Sequence, residues 1–411
     1  MFLSPAQAAA VRERFGTPCY VYDRRTLESQ ARLALAFPRA FGFRLRYAMK
    51  ANPSRAILGI FRELGLHIDA SSDYEVERAL RAGFAPETIQ LTSQMPSQRL
   101  AEWLSRGVLV TACSLHQLDC LARGFPGRAL TIRVNPGLGS GSTNRTNTGG
   151  PASSFGIWHD YLPEVQDIAA RHGCSIRGLH SHIGSGSDPA VWTHVADLVL
   201  GIAERLPDVT TVSLGGGFKV ARMAEEQTAD LQAIGSRARE RFLDFRTRTG
   251  RALDLEIEPG TFLVANAGAI VATCIDVVDT GPQGYRFAKL DAGMPEITRP
   301  SLYGAQHPIT VLADRPPAHI VFVGPCCESG DLLTPAPGDP EALAPREVPA
   351  PAVGDLVVVG GAGAYCAAMA TINYNSYPQA PEVLLEHDGS FRLVRRRQTL
   401  DQILQNEAPL D

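Results

Sequence analysis

The sequence lacks long apolar runs, Cys-x-x-Cys pairs and long basic runs. No apolar stretch reaches the roughly 18 residues that a membrane-spanning helix needs, and the N-terminus has no charged region followed by an apolar one. The eight cysteines form no Cys-x-x-Cys pair, which argues against a zinc ribbon or a disulfide framework in a chain of 411 residues. A formal charge of -4 without a basic run excludes an electrostatic footprint for nucleic acid or for an anionic membrane. We therefore expect a cytoplasmic protein with reduced thiols.

Lysine is also scarce, because only Lys50, Lys219 and Lys289 occur among 39 basic residues. A guanidinium stays protonated and cannot form an imine, whereas an amine can lose its proton and attack a carbonyl carbon. A lysine kept in an arginine-rich chain is therefore a candidate for covalent chemistry. The apolar run before Lys50, in RLRYAMK, makes it the first candidate; the alternative interpretation is a solvated lysine at a strand end.

Short β-rich runs alternate with amphipathic stretches over the first two thirds of the chain. The stretches 54–64, 74–82, 161–170 and 191–206 carry apolar residues at three and four spacing and predict helices. Strands that alternate with helices pair in parallel, and eight such units close into a (β/α)8 barrel. The eight predicted strands end near Lys50, Ala70, Thr92, Cys113, Val134, Ile183, Leu214 and Glu258.

Beyond about residue 267 the strands follow one another without helices, which predicts a mostly antiparallel β domain. An Asp388-Gly389 pair between two apolar runs predicts a hairpin. The stretch 136–158, rich in glycine and serine, predicts a long loop, functional or locally disordered, and the proline-rich stretch 335–353 predicts a surface excursion. The predicted organisation is an N-terminal segment that packs with the β domain, the barrel, and the β domain itself, over residues 1–35, 36–266 and 267–411.

Candidate chemical groups collect at the predicted carboxyl ends of barrel strands, where this fold builds its active sites. The run Gly215, Gly216 and Gly217 lies between a strand and a helix, where backbone N–H groups can turn toward a phosphate. Glu258 ends an alternating strand and would keep a neighbouring pyridine nitrogen protonated. The alternative interpretations are a plain turn for the glycines and a surface salt bridge for the carboxylate.

His180 and His182 are two residues apart and so share a strand face, which also describes a pair of metal ligands. A barrel metallohydrolase would need further ligands at other strand ends, and only Asp69 offers one. An aromatic ring stacked on a flat cofactor explains one histidine equally well. The metal-dependent hydrolase is the alternative function from a different class.

Seven motifs in order resemble those of the fold-type III pyridoxal-phosphate decarboxylases, the alanine-racemase-like barrel group that includes diaminopimelate and ornithine decarboxylases. The resemblance covers almost the whole chain and is strongest to the diaminopimelate branch. The motifs are YAMKAN, HSHIGSG, SLGGGF, EPGTFLVANAG, RPSLYG, GPCCESGDLL and GAYCAAMATINYN.

The resemblance implies pyridoxal 5'-phosphate as cofactor, carried by Lys50 as an imine. It implies that His182 stacks on the pyridine ring, that Glu258 pairs with the ring nitrogen and that Asp69 supports the lysine region. Ser185 and the three glycines would hold the phosphate, with Tyr365 closing that pocket. The complete set of implied cofactor-binding residues is Lys50, Asp69, His182, Ser185, Gly215, Gly216, Gly217, Glu258, Gly260 and Tyr365.

The resemblance also implies a homodimer with shared active sites. Cys327 and Glu328 would come from the second protomer, Cys327 as the proton donor to the substrate carbon and Glu328 as a substrate-binding residue. Lys50, His182, Glu258 and Cys327 are then the catalytic residues. A catalytically silent homologue that only binds the cofactor is the third hypothesis, and the presence of Lys50, Glu258 and Cys327 argues against it.

Arg299 and Tyr303 match the diaminopimelate branch, in which an arginine and a tyrosine receive the distal carboxylate, and Tyr365 joins them at the substrate. A planar guanidinium suits a carboxylate. Gly304 stands where ornithine-type enzymes place an aspartate that meets a distal amine. We therefore expect meso-diaminopimelate to be converted to L-lysine; the alternatives are a carboxylated polyamine, a siderophore precursor, lysine or ornithine.

Two positions depart from the family pattern. Thr261 stands where the family motif EPGR has an arginine that binds phosphate or substrate, and Ser154 stands where the pattern SKFG has a lysine. One anchor is therefore missing or supplied by another residue. Arg145, in the glycine-rich loop, is one candidate replacement, and a loop arginine without a lasting contact is the alternative.

Overall fold

The computed structural model describes residues 2–140, 148–408 and 410, so that Arg145 lies outside the described residues. The chain divides into two compact units. The barrel unit comprises Glu28–Val220 and Gln227–Leu263, and the β unit comprises Met1–Leu27, Ala221–Glu226 and Val264–Asp411. The three domain ranges expected from the sequence stay a prediction.

The helices alternate with strands in the first part of the chain and are few after residue 264. In the described residues they are α1 (Pro5–Phe15), α2 (Arg24–Leu35), α3 (Arg55–Glu63), α4 (Asp73–Arg81), α5 (Leu100–Arg106), α6 (Leu115–Gly124), α7 (Leu162–Arg171), α8 (Pro189–Arg205), α9 (Leu231–Thr249), α10 (Thr261–Val264), α11 (Arg299–Tyr303) and α12 (Leu400–Leu404). Among these described helices, none combines the length and the apolar character needed to cross a membrane.

The strands belong to one parallel and one mixed sheet, apart from one short hairpin. They are β1 (Cys19–Asp23), β2 (Phe43–Ala48), β3 (His67–Ala70), β4 (Ile89–Thr92), β5 (Leu109–Ala112), β6 (Ala129–Asn135), β7 (Ile157–Trp158), β8 (Ser175–His180), β9 (Thr211–Ser213), β10 (Asp254–Ile257), β11 (Gly268–Asp279), β12 (Arg286–Leu290), β13 (Ile309–Val311), β14 (Pro317–Val323), β15 (Pro335–Ala336), β16 (Asp339–Leu343), β17 (Arg346–Pro349), β18 (Leu356–Val359), β19 (Glu382–Leu385) and β20 (Phe391–Arg395).

The barrel unit contains a closed parallel barrel of eight strands. Each strand pairs with the next in the order β2, β3, β4, β5, β6, β8, β9 and β10, and β10 pairs with β2 to close the ring. The predicted (β/α)8 fold is confirmed, and each observed strand ends within three residues of its predicted end. Because all eight strands run in the same direction, their carboxyl ends form one rim.

Amphipathic helices cover the barrel strands. Helix α3 buries Ile57, Leu58, Ile60 and Phe61, and the spacing of these residues places them on one side of the helix. Full burial of an aliphatic or aromatic side chain stabilises the fold by about 1.5–3 kcal/mol. The same periodicity that predicted this helix therefore also specifies which of its faces packs on the barrel.

The sheet of the β unit is mostly antiparallel, as predicted. Strand β1 lies between β11, to which it is antiparallel, and β19, to which it is parallel. The Asp388-Gly389 hairpin is confirmed, since β19 and β20 pair in antiparallel fashion and Gly389 adopts a φ of 82°. The first N-terminal strand is therefore hydrogen-bonded to strands from the last third of the chain.

The prediction of a surface excursion over 335–353 was wrong for its second half. Strand β17 pairs with β14 and buries Val348, and β15 pairs with β16. Pro317 and Pro349 face each other at one end of the pairing; Pro317 is tolerated as the first residue of β14, and Pro349 because β17 lies at the edge of the sheet. The prolines gave this segment the composition of a loop, while backbone pairing with a distant strand made it β-structure.

Candidate active site

Four predicted site residues lie at the carboxyl-terminal rim of the barrel, which we call the barrel rim: Lys50, Asp69, His182 and Glu258. Lys50 belongs to the 3-10 turn Met49–Ala51, directly after β2. Asp69 is in β3, the strand paired with β2. Electrostatic interactions connect the Lys50 amine with Asp69 and His182. Parallel strand pairing therefore gathers residues from distant parts of the sequence.

The Glu258 carboxylate is buried and hydrogen-bonded at both oxygens. His180 Nε2 lies 2.7 Å from Oε2, and Ser213 Oγ donates to Oε1 over 2.8 Å. Burial raises the pKa of Glu258, but the charge and hydrogen bond of His180 and the hydrogen bond of Ser213 outweigh it and hold this pKa below its usual range. The carboxylate is therefore an anion fixed in orientation by two neighbouring strands.

His182 is a neutral ring in a defined orientation. The backbone N–H of Gly216 donates to its Nδ1 over 3.1 Å, so the ring proton is on Nε2. Burial lowers the pKa of His182 far below its usual value, and the charges of Arg133 and Lys50 lower it further. A neutral imidazole can lie on an aromatic cofactor without adding a second positive charge beside Lys50.

The two histidines have separate partners, which does not support a shared metal. Strand β8 ends at His180, whose Nε2 faces Glu258, and His182 follows the strand end. Within residues 2–140, 148–408 and 410, no three His, Cys, Asp or Glu side chains are grouped in a way that could hold a metal ion.

The glycine run is packed so closely that no side chain fits. A Cβ on Gly216 would collide with the carbonyl oxygen of Glu258, and a Cβ on Gly217 with that of Gly184. Gly215 and Gly217 have φ angles of 71° and 96°, a region that favours glycine. The turn therefore reaches the barrel rim without a covering side chain, while the N–H groups of Gly215 and Gly216 donate to Ser213 Oγ and to His182 Nδ1.

Ser185 and Gly260 belong to loops next to this turn. Ser185 N donates to Ser140 O over 3.0 Å, and the Ser140 hydroxyl donates to Ser185 O, so two loops are held together. A Cβ on Gly260 would lie 3.1 Å from Ala48 O, which is close to the turn that carries Lys50. Both residues therefore belong to the loops that form the barrel rim.

Several buried polar atoms inside the barrel have no hydrogen-bond partner: Asp69 Oδ1, Arg133 Nη2 and His180 Nδ1. Buried polar atoms of native proteins are nearly always paired, so such atoms indicate a place for a polar ligand or water. Burial raises the pKa of Asp69, and the Glu258 charge adds to this while Lys50 opposes it. An amine, an anionic carboxylate, a neutral imidazole and a glycine cradle together fit pyridoxal phosphate.

In the β unit, Arg299 and Tyr303 lie in the short helix α11. Arg299 Nε donates to His307 Nε2 over 3.3 Å, and the Arg299 guanidinium lies 6.0 Å from the Tyr303 ring centroid. Gly304 ends the helix with a φ of 60°. Arg299 therefore begins a short helix, with its Nε bonded to His307 and its guanidinium close to an aromatic ring.

Cys327 and Glu328 are exposed on one loop of the β unit. Cys327 N donates to Asn375 Oδ1 over 3.0 Å, and Gly330 N donates to Glu328 Oε1 over 3.0 Å. Asn375 itself has a φ of 49°, and Tyr365 has a φ of 56°. Non-glycine residues in this region are strained, and such strain is found most often at functional sites.

Sequence reasoning missed the residues that control the charge of Glu258. His180 was considered only as a metal ligand, and Ser213 was not considered, although it stands two residues before Gly215. Alternation along β9 was the available signal for Ser213, because it places the polar Thr211 and Ser213 on one face of the strand and the apolar Val212 on the other. Arg133, whose charge lowers the pKa of His182, was not identified by any local pattern in the sequence.

Comparison with known proteins agrees with these features. Residues 25–265 match the family described as "Pyridoxal-dependent decarboxylase, pyridoxal binding domain". A diaminopimelate decarboxylase of Streptomyces coelicolor is 38% identical over 98% of this chain and 92% of its own length. The diaminopimelate decarboxylase of Escherichia coli strain K12 is 37% identical over 95% of this chain and 93% of its own length.

Solved structures resemble the whole chain. A crystal structure of diaminopimelate decarboxylase has a TM-score of 0.89 at 35% identity and covers 98% of this chain and 96% of its own. The Helicobacter pylori diaminopimelate decarboxylase complexed with L-lysine has a TM-score of 0.87 at 26% identity, with 97% and 98% covered. The resemblance predicted from the motifs is confirmed: this chain belongs to the family of pyridoxal-dependent amino-acid decarboxylases.

Proposed function

We propose that this enzyme converts meso-diaminopimelate to L-lysine and carbon dioxide, with pyridoxal phosphate bound through Lys50. The observation that carries the proposal is the buried Glu258 carboxylate, kept anionic by His180 and Ser213 at the barrel rim. The relatives at 37% and 38% identity are named as diaminopimelate decarboxylases, which supports this substrate over the alternatives. A lysine decarboxylase structure at 21% identity supports the fold only.

The residues of the barrel rim would hold the cofactor. Lys50 would supply the amine that holds the cofactor, and Glu258 would keep a proton on the ring nitrogen. His182 would stack on the ring, and Gly215–Gly217 with Ser185 would receive the phosphate. When bound, pyridoxal phosphate supplies an electron sink for the electrons left by the departing carboxylate. The protein contributes position and charge, and the bond-breaking chemistry belongs to the cofactor.

The residues around Glu258 determine how strongly this sink is polarised. A carboxylate with a low pKa remains an anion next to a protonated ring nitrogen, whereas a neutral carboxyl group would let that nitrogen lose its proton. His180 and Ser213 each stabilise the anion by a hydrogen bond, worth about 1.5–3 kcal/mol for a charged acceptor. We therefore assign His180 and Ser213 as positioning residues of this site.

The substrate would bind to residues of the β unit. Arg299 and Tyr303 would receive the carboxylate at the distal end, and Tyr365 would contact both cofactor and substrate. We further propose that the enzyme is a homodimer in which Cys327 and Glu328 serve the active site of the partner protomer. Cys327 would then deliver a proton to the substrate carbon that lost its carboxylate, and Glu328 would contact the substrate.

Carbon dioxide release from a panel of amino acids tests the proposal. Purified holoenzyme is assayed with meso-diaminopimelate, L-lysine and L-ornithine at equal concentrations. Turnover of meso-diaminopimelate with the highest kcat/KM supports the assignment. A preference for lysine or ornithine would replace the substrate and keep the reaction, and cofactor binding without release from any of them would favour the silent homologue.

A further inference from the structure

Arg222 is a half-buried cation that the barrel chemistry does not use. It lies in the segment Ala221–Glu226, which belongs to the β unit. Its Nε donates to Gly361 O over 3.0 Å, while its Nη2 is buried and has no hydrogen-bond partner. A guanidinium presents five N–H donors, so a buried nitrogen without an acceptor leaves room for an external one.

The main chain around Arg222 is built to hold this side chain in place. The backbone N–H groups of Arg222 and Met223 both donate to Glu226 Oε2, over 2.7 and 3.2 Å. On the other side, a Cβ on Gly361 would lie 2.9 Å from Arg222 Cγ and Cδ, and Gly361 has a φ of 64°. A glycine is therefore needed where the chain passes the stem of the arginine.

A second guanidinium belongs to the same group of charges. The charge of Arg299 acts on Arg222, and both charges act on His307, which is 1% exposed. His307 donates from Nδ1 to Gly360 O over 2.9 Å, which leaves Nε2 to accept from Arg299 Nε. We call Arg222, Arg299 and His307 the arginine cluster.

Within the described residues, no carboxylate makes a hydrogen bond or an ion pair with the side-chain nitrogens of Arg222 or Arg299. Burial lowers the pKa of Arg222 to about 9, and the charge of Arg299 contributes to this shift, while Cys366 and Glu226 oppose it. Two like charges in one half-buried region repel each other unless an anion binds them. The fold therefore retains a repulsion that an anionic ligand would relieve.

The departure at Thr261 bears on the role of this cluster. The family pattern carries an arginine at that position for phosphate or substrate, and this chain carries a threonine. Arg222 provides a half-buried guanidinium in the same chain, and its buried Nη2 has no hydrogen-bond partner. The family resemblance assigns the phosphate to Gly215–Gly217 and Ser185, so a substrate carboxylate is the anion that remains to be bound.

We propose that Arg222 and Arg299 together form a carboxylate-binding site that selects amino acids with a distal carboxylate. The two planar forks can receive both oxygens of one carboxylate, and His307 holds Arg299 in orientation. The identity of the dicarboxylic amino acid rests on the proposed function, whereas the binding of a carboxylate to the two arginines does not.

Binding of pimelate, a seven-carbon dicarboxylate without amino groups, tests the site independently of turnover. The holoenzyme, its Arg222→Gln variant and an Arg346→Gln control are compared by calorimetry and by thermal unfolding with and without pimelate. Arg346 is a matched control because it is also half-buried in the β unit with an unpaired guanidinium nitrogen, but Glu225 acts on it.

Pimelate should raise the Tm of the wild type and of Arg346→Gln, and its affinity for Arg222→Gln should fall by at least about tenfold, the loss expected for a hydrogen bond to a charged group. Without ligand, the Tm of Arg222→Gln should equal or exceed that of the wild type, because one of two like charges is removed. A merely structural arginine would lower this Tm. Arg222→Lys should bind pimelate more weakly than the wild type, since it lacks the planar fork.

Kinetics separate this proposal from the proposed function. Arg222→Gln should raise the KM for meso-diaminopimelate by at least about tenfold and leave the visible spectrum of the bound cofactor unchanged. If the wild type does not decarboxylate meso-diaminopimelate but Arg222→Gln loses pimelate binding, the proposed substrate fails and the carboxylate site stands. Unchanged pimelate affinity in Arg222→Gln, or a loss of cofactor affinity instead, would overturn the site.

Discussion

The barrel rim and the arginine cluster differ in whether the protein itself supplies partners for their charged groups. At the rim, the Glu258 anion receives hydrogen bonds from His180 and Ser213, so the protein supplies its own partners. In the β unit, Arg222 and Arg299 are half-buried, and among the described residues no carboxylate pairs with either guanidinium. The charge at the barrel rim is therefore paired before a ligand binds, whereas the charges of the arginine cluster are paired by the ligand itself. A permanent cofactor suits the first arrangement, and an exchanging substrate suits the second.

At the rim, the strongest loss is expected from replacing Lys50. Lys50→Ala should abolish both turnover and the visible absorption band of lysine-bound pyridoxal phosphate, because no other amine is at the end of that strand. Lys50→Arg should be equally inactive, since a guanidinium does not act as a nucleophile here. Lys219→Arg and Lys289→Arg are the matched controls and should keep activity; an active Lys50→Ala would move the assignment to one of them.

The next effect tests whether Cys327 serves the partner protomer. Lys50→Ala and Cys327→Ala homodimers should each be inactive. After subunit exchange with random pairing, the mixture should recover about a quarter of the wild-type sites, because about half of the dimers carry one intact site. Activity is measured together with a check of exchange by tagged subunits. Recovery that stays at zero despite verified exchange would place both residues in one chain's site.

In the arginine cluster, Arg299 should show a selective loss. Arg299→Lys keeps the charge but loses the planar fork, so kcat/KM for meso-diaminopimelate should fall by up to about a hundredfold, or about 2–3 kcal/mol. Activity on lysine, which lacks the distal carboxylate, should change far less. Steady-state kinetics on both substrates make the comparison. Equal losses on the two substrates would mean that Arg299 supports the fold or the cofactor.

A more moderate effect is expected at the barrel rim from His180→Phe. Loss of its hydrogen bond to Glu258, worth about 1.5–3 kcal/mol, should raise the pKa of Glu258 by about one to two units. When the pH is lowered, the variant should therefore begin to lose activity at a higher pH than the wild type does. Its maximal kcat should be about tenfold lower. Ser213→Ala should shift the profile in the same direction. An unchanged acid limb in both variants would contradict the positioning role.

A buried carboxyl group of the β unit, Glu296, affects stability rather than catalysis and should give the weakest signal. Glu296 is 2% exposed in the β unit, and burial raises its pKa to about 8, with a hydrogen bond from Gly293 opposing the shift and the charges of Asp331 and Asp291 adding to it. A raised pKa means that the folded state binds the proton more tightly. Its contribution to the free energy of unfolding is therefore complete below about pH 4.3 and is lost as the pH rises toward 8.

Glu296→Gln should therefore flatten the pH dependence of stability between about pH 5 and 8, where one group contributes at most about 1.4 kcal/mol per pH unit. Urea unfolding at several pH values measures the slope. The exposed Glu341→Gln is the control and should leave the slope as it is. Parallel curves for the wild type and Glu296→Gln would show that this carboxyl group does not carry the dependence.

The barrel was predictable because its signals are local. Each apolar strand and each amphipathic helix is recognisable from the pattern of its own residues. Parallel strands must then place their carboxyl ends on one rim. Lys50 was identifiable from lysine scarcity, and Glu258 from its place at a strand end. Strand β17 was not predicted, because the prolines in and around it indicate a loop. Only its pairing with β14 makes it a strand.

The order of the barrel strands, the family and the groups that can perform the chemistry can all be read from the amino-acid sequence alone. The partners of those groups depend on tertiary structure. His180 lies 78 residues before Glu258 and Ser213 lies 45 before it, and they meet only because β8, β9 and β10 are neighbours in the barrel. Arg222 and Arg299 likewise come from distant segments. Periodicity reports which face of an element is buried, but the charge that a buried group meets depends on which strands the closed fold brings beside it.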